Sequence, residues 1–309
     1  MGELAFDRRV AIVTGAGRNL GRAYALMLAS RGAKVVVNDL GVGISDTDGL
    51  AEAPTVNPAH AVVDEIVAAG GEAMVSTASI ADAAAADAMV QRALDTWGTV
   101  DIVINNAGVV RQAPVEDMEP HLVQAMLDTH LTGAMNVTRP AWRAMKRQGR
   151  GRVIHVSSGA AISGIPNMAV YSAVKLGVVG LTRAQALEGA EFGIKVNVVA
   201  PYASVRGNAF GPIPYSAALA DWLSPREVAP LVAWLAHDDC PVSGELFTVG
   251  GGYVGRVALA VKRGFKGRPL SPEKLRDHWA EVMGDDDEFR IAPPGSTGEV
   301  SRMMEDFGH

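Results

Sequence analysis

Val10-Ala-Ile-Val-Thr-Gly-Ala-Gly-Arg-Asn-Leu-Gly21 is the stretch on which the fold turns. Val10 to Val13 is a short apolar run that reads as a buried strand. Gly15, Gly17 and Gly21 punctuate the turn after it, and a helical pattern runs from Arg22 to Arg31, closed by Gly32. A strand, a glycine turn and a helix in succession are the context in which backbone N–H groups cradle a phosphate. The spacing is T-G-x-x-x-N-x-G rather than the longer G-x-G-x-x-G. Asn19 suits such a turn because asparagine enters the left-handed region more readily than most residues.

Moving outward, Lys34-Val-Val-Val-Asn-Asp39 is the next strand, and its terminal carboxylate lies 18 residues beyond Gly21. An acid at that strand end accepts a hydrogen bond from an adenosine ribose and repels a 2′-phosphate, which points to NAD rather than NADP. Residues 41–58 are rich in Gly, Asp, Pro and Thr and read as a surface insertion. A helix over 59–69, a strand over 73–77, a helix over 81–95 and a buried strand over 100–104 follow. That last strand ends in Asn105-Asn-Ala-Gly108, whose small residues let a ligand approach the backbone. A long helical pattern covers 121–147, with Leu122, Met126, Leu131, Met135, Val137, Trp142 and Met145 as its apolar residues. Strands over 152–157, 195–201 and 244–249 and a helix over 225–236 complete the alternation, which predicts a doubly wound parallel α/β sheet of Rossmann type with helices on both faces.

The second decisive stretch is Tyr171-Ser-Ala-Val-Lys175, with Ser158 thirteen residues upstream. The spacing of Tyr171 and Lys175 puts both side chains on one face of a helix. Leu176, Val178, Val179, Leu181, Ala184 and Leu187 continue an apolar stripe. Ser158 falls just past a strand end, where ligand crevices of open α/β sheets lie. An ammonium near a phenol lowers the phenol's pKa, and a phenol so tuned can take a proton from an alcohol. The Ser158 hydroxyl can hold the substrate oxygen.

Composition excludes several classes of function. The 309 residues, 48% hydrophobic, suffice for a large α/β domain. The net charge of −6 provides no basic field for nucleic acid. One cysteine, Cys240, and seven histidines without H-x-x-x-H spacing give no basis for a disulfide framework or a metal site. Asp285-Asp-Asp-Glu288 reads as a solvated loop, and Met126, Met135 and Met145 read as core or subunit interface. No apolar run reaches the roughly 18 residues of a membrane span, and the first residues lack an apolar signal core, so a cytoplasmic protein is expected.

Taken in order, Thr14-Gly…Gly21, Asp39, Asn105-Asn-Ala-Gly108, Ser158 and Tyr171-x-x-x-Lys175 resemble the short-chain dehydrogenase/reductase superfamily, over about residues 7–252. Asn38-Asp-Leu-Gly41, His130-Leu-Thr-Gly133, Pro140-Ala-Trp142, Ala229–Trp234, Gly251–Arg256 and Ser271-Pro-Glu273 extend the likeness. They are similar to the (3R)-hydroxyacyl-CoA dehydrogenase branch found in peroxisomal multifunctional enzymes of type 2, also called 17β-hydroxysteroid dehydrogenases type 4.

The resemblance implies roles. Gly15, Gly17, Arg18, Asn19, Leu20 and Gly21 would cradle the pyrophosphate of NAD, and Asp39 its adenosine ribose. Arg18 is a conflicting signal only through this resemblance, in which a basic residue at this place often accompanies NADP use; its side chain can turn to other partners, Asp39 among them. Asn105, Ala107 and Gly108 would line the adenosine side. Lys175 would bind the nicotinamide ribose and tune Tyr171, the general acid–base. Ser158 would orient the substrate oxygen, and Pro201 and its neighbours would flank the nicotinamide. His130 matches the closer branch but stands where most of the superfamily has Asn, so a catalytic role and a packing role are both open. Ala78-Ser79 replace an acid that often contacts adenine.

The expected activity is NAD-dependent oxidation of a secondary alcohol, with a (3R)-3-hydroxyacyl-CoA as the leading substrate and a steroid or terpenoid alcohol as the alternative. A non-catalytic NAD(H)-binding sensor is a third reading, opposed by the intact Ser158, Tyr171 and Lys175. The expected organisation is a catalytic domain over 1–252, an apolar lid over 206–224 and an extension over 253–309 that completes the substrate site. A basic segment with Arg256, Lys262, Arg263, Lys266 and Arg268 is a candidate for the phosphates of coenzyme A. Apolar helix faces predict a homo-oligomer.

Overall fold

The computed structural model describes residues 2–44, 50–51, 56–203, 222–262, 264–284 and 290–295. Eight strands form one sheet: β1 (Val10–Thr14), β2 (Lys34–Asn38), β3 (Ala73–Ser76), β4 (Ile102–Asn105), β5 (Gly151–Val156), β6 (Ile194–Pro201), β7 (Leu246–Gly250) and β8 (Tyr253–Val257). Their spatial order is β8-β7-β6-β5-β4-β1-β2-β3. The pairs from β3 to β7 are all parallel. Strand order therefore reverses between β1 and β4, and the crevice at that reversal, on the carboxyl ends of the strands, is where such sheets bind ligands.

The apolar runs lack alternation because both faces are covered. Ala11, Val13, Val35, Val37, Ile102 and Ile104 point to one face. There they meet Tyr24 and Leu28 of α1 (Asn19–Ala29), Val62 and Ile66 of α2 (Pro58–Ala68), and residues of the last core helix (Ala229–Ala236). Val10, Ile12, Val36 and Val103 point to the other. They meet Met89 and Val90 of α3 (Ala83–Trp97) and Val137, Ala141 and Met145 of α5 (Gly133–Gln148).

The long pattern expected over 121–147 is broken in an informative way. It comprises α4 (Pro120–Leu127), a wide π turn at Asp128–Thr132, and α5. The turn carries His130. After β5 come a short helix, α6 (Ala160–Ser163), and then α7 (Ala169–Gly189), which carries Tyr171 and Lys175; the last core helix is α8 (Ala229–Ala236).

The chain divides into two units, Met1–Arg256 and Val257–His309, four residues beyond the boundary expected from sequence. Within the second unit, Ala260–Val261 pairs antiparallel with Arg290–Ile291. Helix α9 (Pro272–Asp277) is capped by Ser271, whose Oγ accepts from Lys274 N at 3.1 Å, and α10 (Trp279–Met283) comes next. Phe265 stacks on His278 with ring centroids 4.1 Å apart.

Of the expected insertion, the described residues show two short strands, Gly43–Ile44 and Leu50–Ala51, paired antiparallel. Most of the expected lid, Arg263 and Asp285–Glu288 lie outside the described residues. Among the described residues no helix is long and apolar enough to cross a membrane.

Candidate active site

The turn after β1 is shaped by close backbone approach. Gly15 has φ +61°, and a Cβ there would lie 2.8 Å from Ala107 Cα in the loop after β4. At Gly21 a Cβ would collide with the Gly15 carbonyl oxygen. Asn19 adopts φ +48°, the left-handed conformation its sequence position suggests, and starts α1. Two residues tie the loops together. The Thr14 hydroxyl accepts from Asn106 N and Ala107 N, both at 3.0 Å. Asn106 Nδ2 donates to the carbonyls of Thr14 (2.9 Å) and Gly15 (3.0 Å). Thr14 and Asn106 fall inside the sequence motifs, but neither bracing role is legible there, because the contact joins two strand ends far apart in the chain.

Asp39 stands at this crevice. Its Oδ2 accepts from Gly17 N and its Oδ1 from Gly41 N, each at 2.9 Å. The carboxylate thus joins the glycine turn to the chain beyond β2. Asn57, the N-cap of α2, adds a bond from Nδ2 to the Asp39 carbonyl at 2.8 Å. The pairing of Arg18 with Asp39 considered from sequence is not what the structure shows.

The N-terminus of α1 suits a phosphate. Its N-cap residue, Arg18, makes no side-chain capping bond, and the first turn holds no acid. The first N–H groups of the helix are therefore left without a side-chain acceptor of their own, while the Asp39 carboxylate is held on Gly17 N just before them. With Asp39 beside them, these residues fit a dinucleotide.

Ser158, Tyr171 and Lys175 come together at the carboxyl end of β5. Tyr171 is hydrogen-bonded to Ser158. Ser158 Oγ also accepts from Ala160 N at 3.2 Å. Lys175 Nζ lies 5.6 Å from the centre of the Tyr171 ring and donates to the Val156 carbonyl at 2.7 Å. Ser157 Oγ donates to the Lys175 carbonyl at 2.7 Å, so α7 is fastened to the end of β5 by both neighbours of the pair.

The electrostatics run against the expectation from spacing. Burial pushes the Tyr171 phenol up to about 12, and the Ser158 hydrogen bond only partly opposes it. Burial likewise pushes the Lys175 ammonium down to about 7. Desolvation disfavours the charged form of each, and it outweighs the mutual attraction that the four-residue spacing suggested.

His130 Nε2 lies 2.8 Å from the Val109 carbonyl. A carbonyl only accepts, so Nε2 carries the proton and Nδ1 is the free acceptor. Burial and the Lys175 charge hold the imidazole well below its ordinary pKa, so it is neutral. A Cβ on Gly108 would lie 2.5 Å from His130 Cε1, which explains a glycine there.

Asn105 differs from the others. Its side chain is turned inward, with Nδ2 donating to Thr138 Oγ1 at 2.9 Å and lying 3.3 Å from His155 Nδ1. His155 Nε2 sits 2.8 Å from Gln185 Oε1. His155 is wholly buried, and burial pushes its pKa down to about 4. Asn105 Oδ1 has no partner. Asn105, His130, His155, Thr129 and Thr14 line a small cavity beneath the site. Pro201 ends β6, and the ring of Tyr202 after it lies over Gly159, where a Cβ would come 2.7 Å from the Tyr202 hydroxyl. His155 was not legible in sequence, since it sits within an apolar strand, and Tyr202 was covered only as an unnamed neighbour of Pro201.

Comparison with known proteins agrees with this geometry. A profile of the short chain dehydrogenase family matches residues 9–206. Peroxisomal multifunctional enzyme type 2 of Mus musculus is 40% identical over 286 residues, which are 90% of this chain and 37% of that protein. The chain thus spans little over a third of that relative's length. The 3-oxoacyl-[acyl-carrier-protein] reductase of Synechocystis is 38% identical over 256 residues, 81% of this chain and 98% of that protein. A crystal structure of a short chain dehydrogenase from Mycobacterium avium superposes with a TM-score of 0.77 at 36% identity, covering 94% of this chain and 99% of the other. A parallel sheet reversing at β1 and β4, a glycine turn closed by Asp39 and a family match across both make this chain a member of the short chain dehydrogenase family, an oxidoreductase of CH–OH groups that works with a nicotinamide dinucleotide.

Proposed function

We propose that the protein is an NAD-dependent dehydrogenase that oxidises a (3R)-3-hydroxyacyl-CoA to the 3-oxoacyl thioester. The observation that carries the chemistry is the hydrogen-bonded pair of Ser158 and Tyr171, with Lys175 a turn away, at the carboxyl end of β5. Ser158 Oγ holds the substrate oxygen, and Tyr171 exchanges the proton of that oxygen. Lys175 sets the charge beside the phenol. When bound, the nicotinamide accepts or donates the hydride. Gly15 to Gly21 and Asp39 hold the dinucleotide, and Asp39 selects NAD by repelling a 2′-phosphate.

The substrate class is supported by the sequence likeness to the hydroxyacyl-CoA branch and by a relative named 3-oxoacyl-[acyl-carrier-protein] reductase, whose substrate is also a thioester. The basic segment contributes less than its composition suggests. Arg256 is bidentate on Glu245, at 2.8 and 2.9 Å. Lys262, Lys266 and Arg268 also have partners. A role for the second unit in substrate use remains part of this proposal. Exposed Met135 on α5 and Leu176 and Leu187 on α7 support self-association, to be checked by size-exclusion chromatography with light scattering. A cytoplasmic setting fits the single cysteine, although the mouse relative is named peroxisomal; microscopy of a tagged full chain decides it.

NADH formation with a 3-hydroxyacyl-CoA, a steroid alcohol and a terpenoid alcohol tests the reading. Preferential turnover of the R thioester is expected. Turnover of steroid or terpenoid alcohols alone replaces the substrate class, and NAD(H) binding without turnover of any alcohol makes the protein a sensor.

A further inference from the structure

Arg111 is a buried cation without an anion. It is 7% exposed. Its Nη1 donates to the carbonyl of its own neighbour, Val110, at 2.7 Å. Its Nε is fully buried and has no acceptor. No carboxylate pairs with it among the described residues. Arginine stays protonated in proteins and presents five donors in a planar fork. A buried guanidinium with donors unmet is destabilising unless something else meets them. Arg152, the other buried arginine among the described residues, shows the contrast: it donates to the carbonyls of Gly151, Gly193, His237 and Asp238.

The position of Arg111 says what that something is. The chain leaves the carboxyl end of β4 and is pinned at Val109, whose carbonyl meets His130 at 2.8 Å. It is pinned again at Ala113, whose N–H donates to the Asn167 carbonyl at 2.9 Å. His130 contacts the Tyr171 ring, and Asn167 lies just before the helix that carries Tyr171. Arg111 is midway between these two anchors. It is two residues from Val109, a span of at most about 7 Å of chain. Arg111 thus sits on a loop whose two fixed ends, through His130 and Asn167, border Tyr171.

We infer that Arg111 recognises an acceptor oxygen of the substrate close to the reacting carbinol, which for a 3-hydroxyacyl thioester is the thioester carbonyl. The inference rests on the proposed substrate class and deepens it: Arg111 separates 3-hydroxyacyl thioesters from secondary alcohols with no neighbouring carbonyl. A charge-assisted hydrogen bond of this kind fixes the acyl chain on one side of the carbinol.

The test compares Arg111→Met and Arg111→Gln with the unaltered protein on two substrates of equal chain length, a 3-hydroxyacyl-CoA and an alkan-2-ol. Loss of the bond should lower kcat/KM for the thioester by roughly 10- to 100-fold and leave the alkan-2-ol within about twofold. NADH binding should be unchanged. The thermal midpoint of Arg111→Met should hold or rise, because an unmet buried charge has been removed. Equal losses on both substrates, a lowered thermal midpoint or a changed subunit number in both variants would make Arg111 structural and overturn the inference. If the unaltered protein oxidises the thioester and neither variant loses it selectively, the proposed function stands and this inference alone fails. If the unaltered protein oxidises the alkan-2-ol and not the thioester, both fail together.

Discussion

The His130 ring stands edge-on to the Tyr171 ring, with centroids 5.6 Å apart and planes at 78°. The same imidazole donates to Val109 and fills the space left by the missing side chain of Gly108. It is therefore a neutral wedge between the loop after β4 and the phenol. Its desolvation and the nearby Lys175 charge both oppose protonation. A positioning role predicts that His130→Asn lowers kcat by roughly 10- to 100-fold through misplacement of Tyr171. The limbs of the kcat/KM pH profile should stay where they are. Disappearance of a limb near neutral pH in this variant would make His130 a proton carrier instead.

Tyr171→Phe removes only the hydroxyl. Turnover should fall by roughly 10²- to 10⁴-fold, the usual contribution of positioned proton transfer. Cofactor binding, measured by NADH fluorescence, should survive. The phenol sits near 12, so alcohol oxidation, which needs the phenolate, should accelerate as pH rises from neutrality. Ketone reduction, which needs the phenol, should not. Wild-type-like turnover in Tyr171→Phe removes it from the chemistry.

The strand–turn–helix at 10–29 was legible because glycine and asparagine are there for backbone reasons that sequence displays directly. The two site helices were legible in part. Met126, Val137 and Met145, and Val178 and Val179 on α7, are buried as their patterns suggested, while the break at Asp128–Thr132 and several faces were not legible. Leu131 and Met135 belong to the apolar pattern of 121–147, yet Met135 is exposed. The buried stripe joins Met126, Val137 and Met145 of that pattern with His130, Ala134 and Ala141. On α7, Leu176 and Leu187 are about half exposed, while Lys175, Thr182 and Gln185 are buried. Polar residues took the inner face because they have partners there: Lys175 the Val156 carbonyl, Thr182 the Val178 carbonyl and Gln185 the His155 ring. Hydrophobic periodicity cannot register a partner that lies on another strand, and so the His155 network and the π turn at His130 escaped it.

Asp39 has two jobs in this geometry, and they separate experimentally. Unmodified protein should show a higher kcat/KM with NAD than with NADP. Asp39→Ala frees the N–H groups of Gly17 and Gly41 and removes the repulsion of a 2′-phosphate. The NAD preference should shrink by about tenfold or more, and stability should fall by about 1–3 kcal/mol as the two amides lose their acceptor. With that carboxylate gone and no acid in the first turn of α1, Arg18 should then favour NADP. A native preference for NADP contradicts the assignment.

His155 makes the fold sensitive to acid. It is wholly buried and hydrogen-bonded as the neutral ring, with Nε2 donating to Gln185 Oε1 and Nδ1 facing Asn105 Nδ2. Protonation would set a second donor against that amide and add a cation near Lys175, whose charge already opposes it. Its folded pKa is about 4 against 6.5 for the free side chain. Between those values the unfolded chain binds more protons than the folded one, so unfolding free energy increases with pH across this window. The stability associated with neutral His155 is fully present above about 6.5 and lost as pH falls toward 4. A shift of this size corresponds to something on the order of 3 kcal/mol. His130, also held low by burial, adds to the effect in the same direction. Thermal midpoints measured from pH 8 to 4 should therefore drop steeply below pH 6.5. His155→Gln keeps a polar side chain without a titrating ring, and its midpoint at pH 8 should be lower because the network is disturbed. Its further decline on acidification should be shallower than that of the unaltered protein. Parallel curves for the two would assign the acid sensitivity to other groups and leave His155 a spectator.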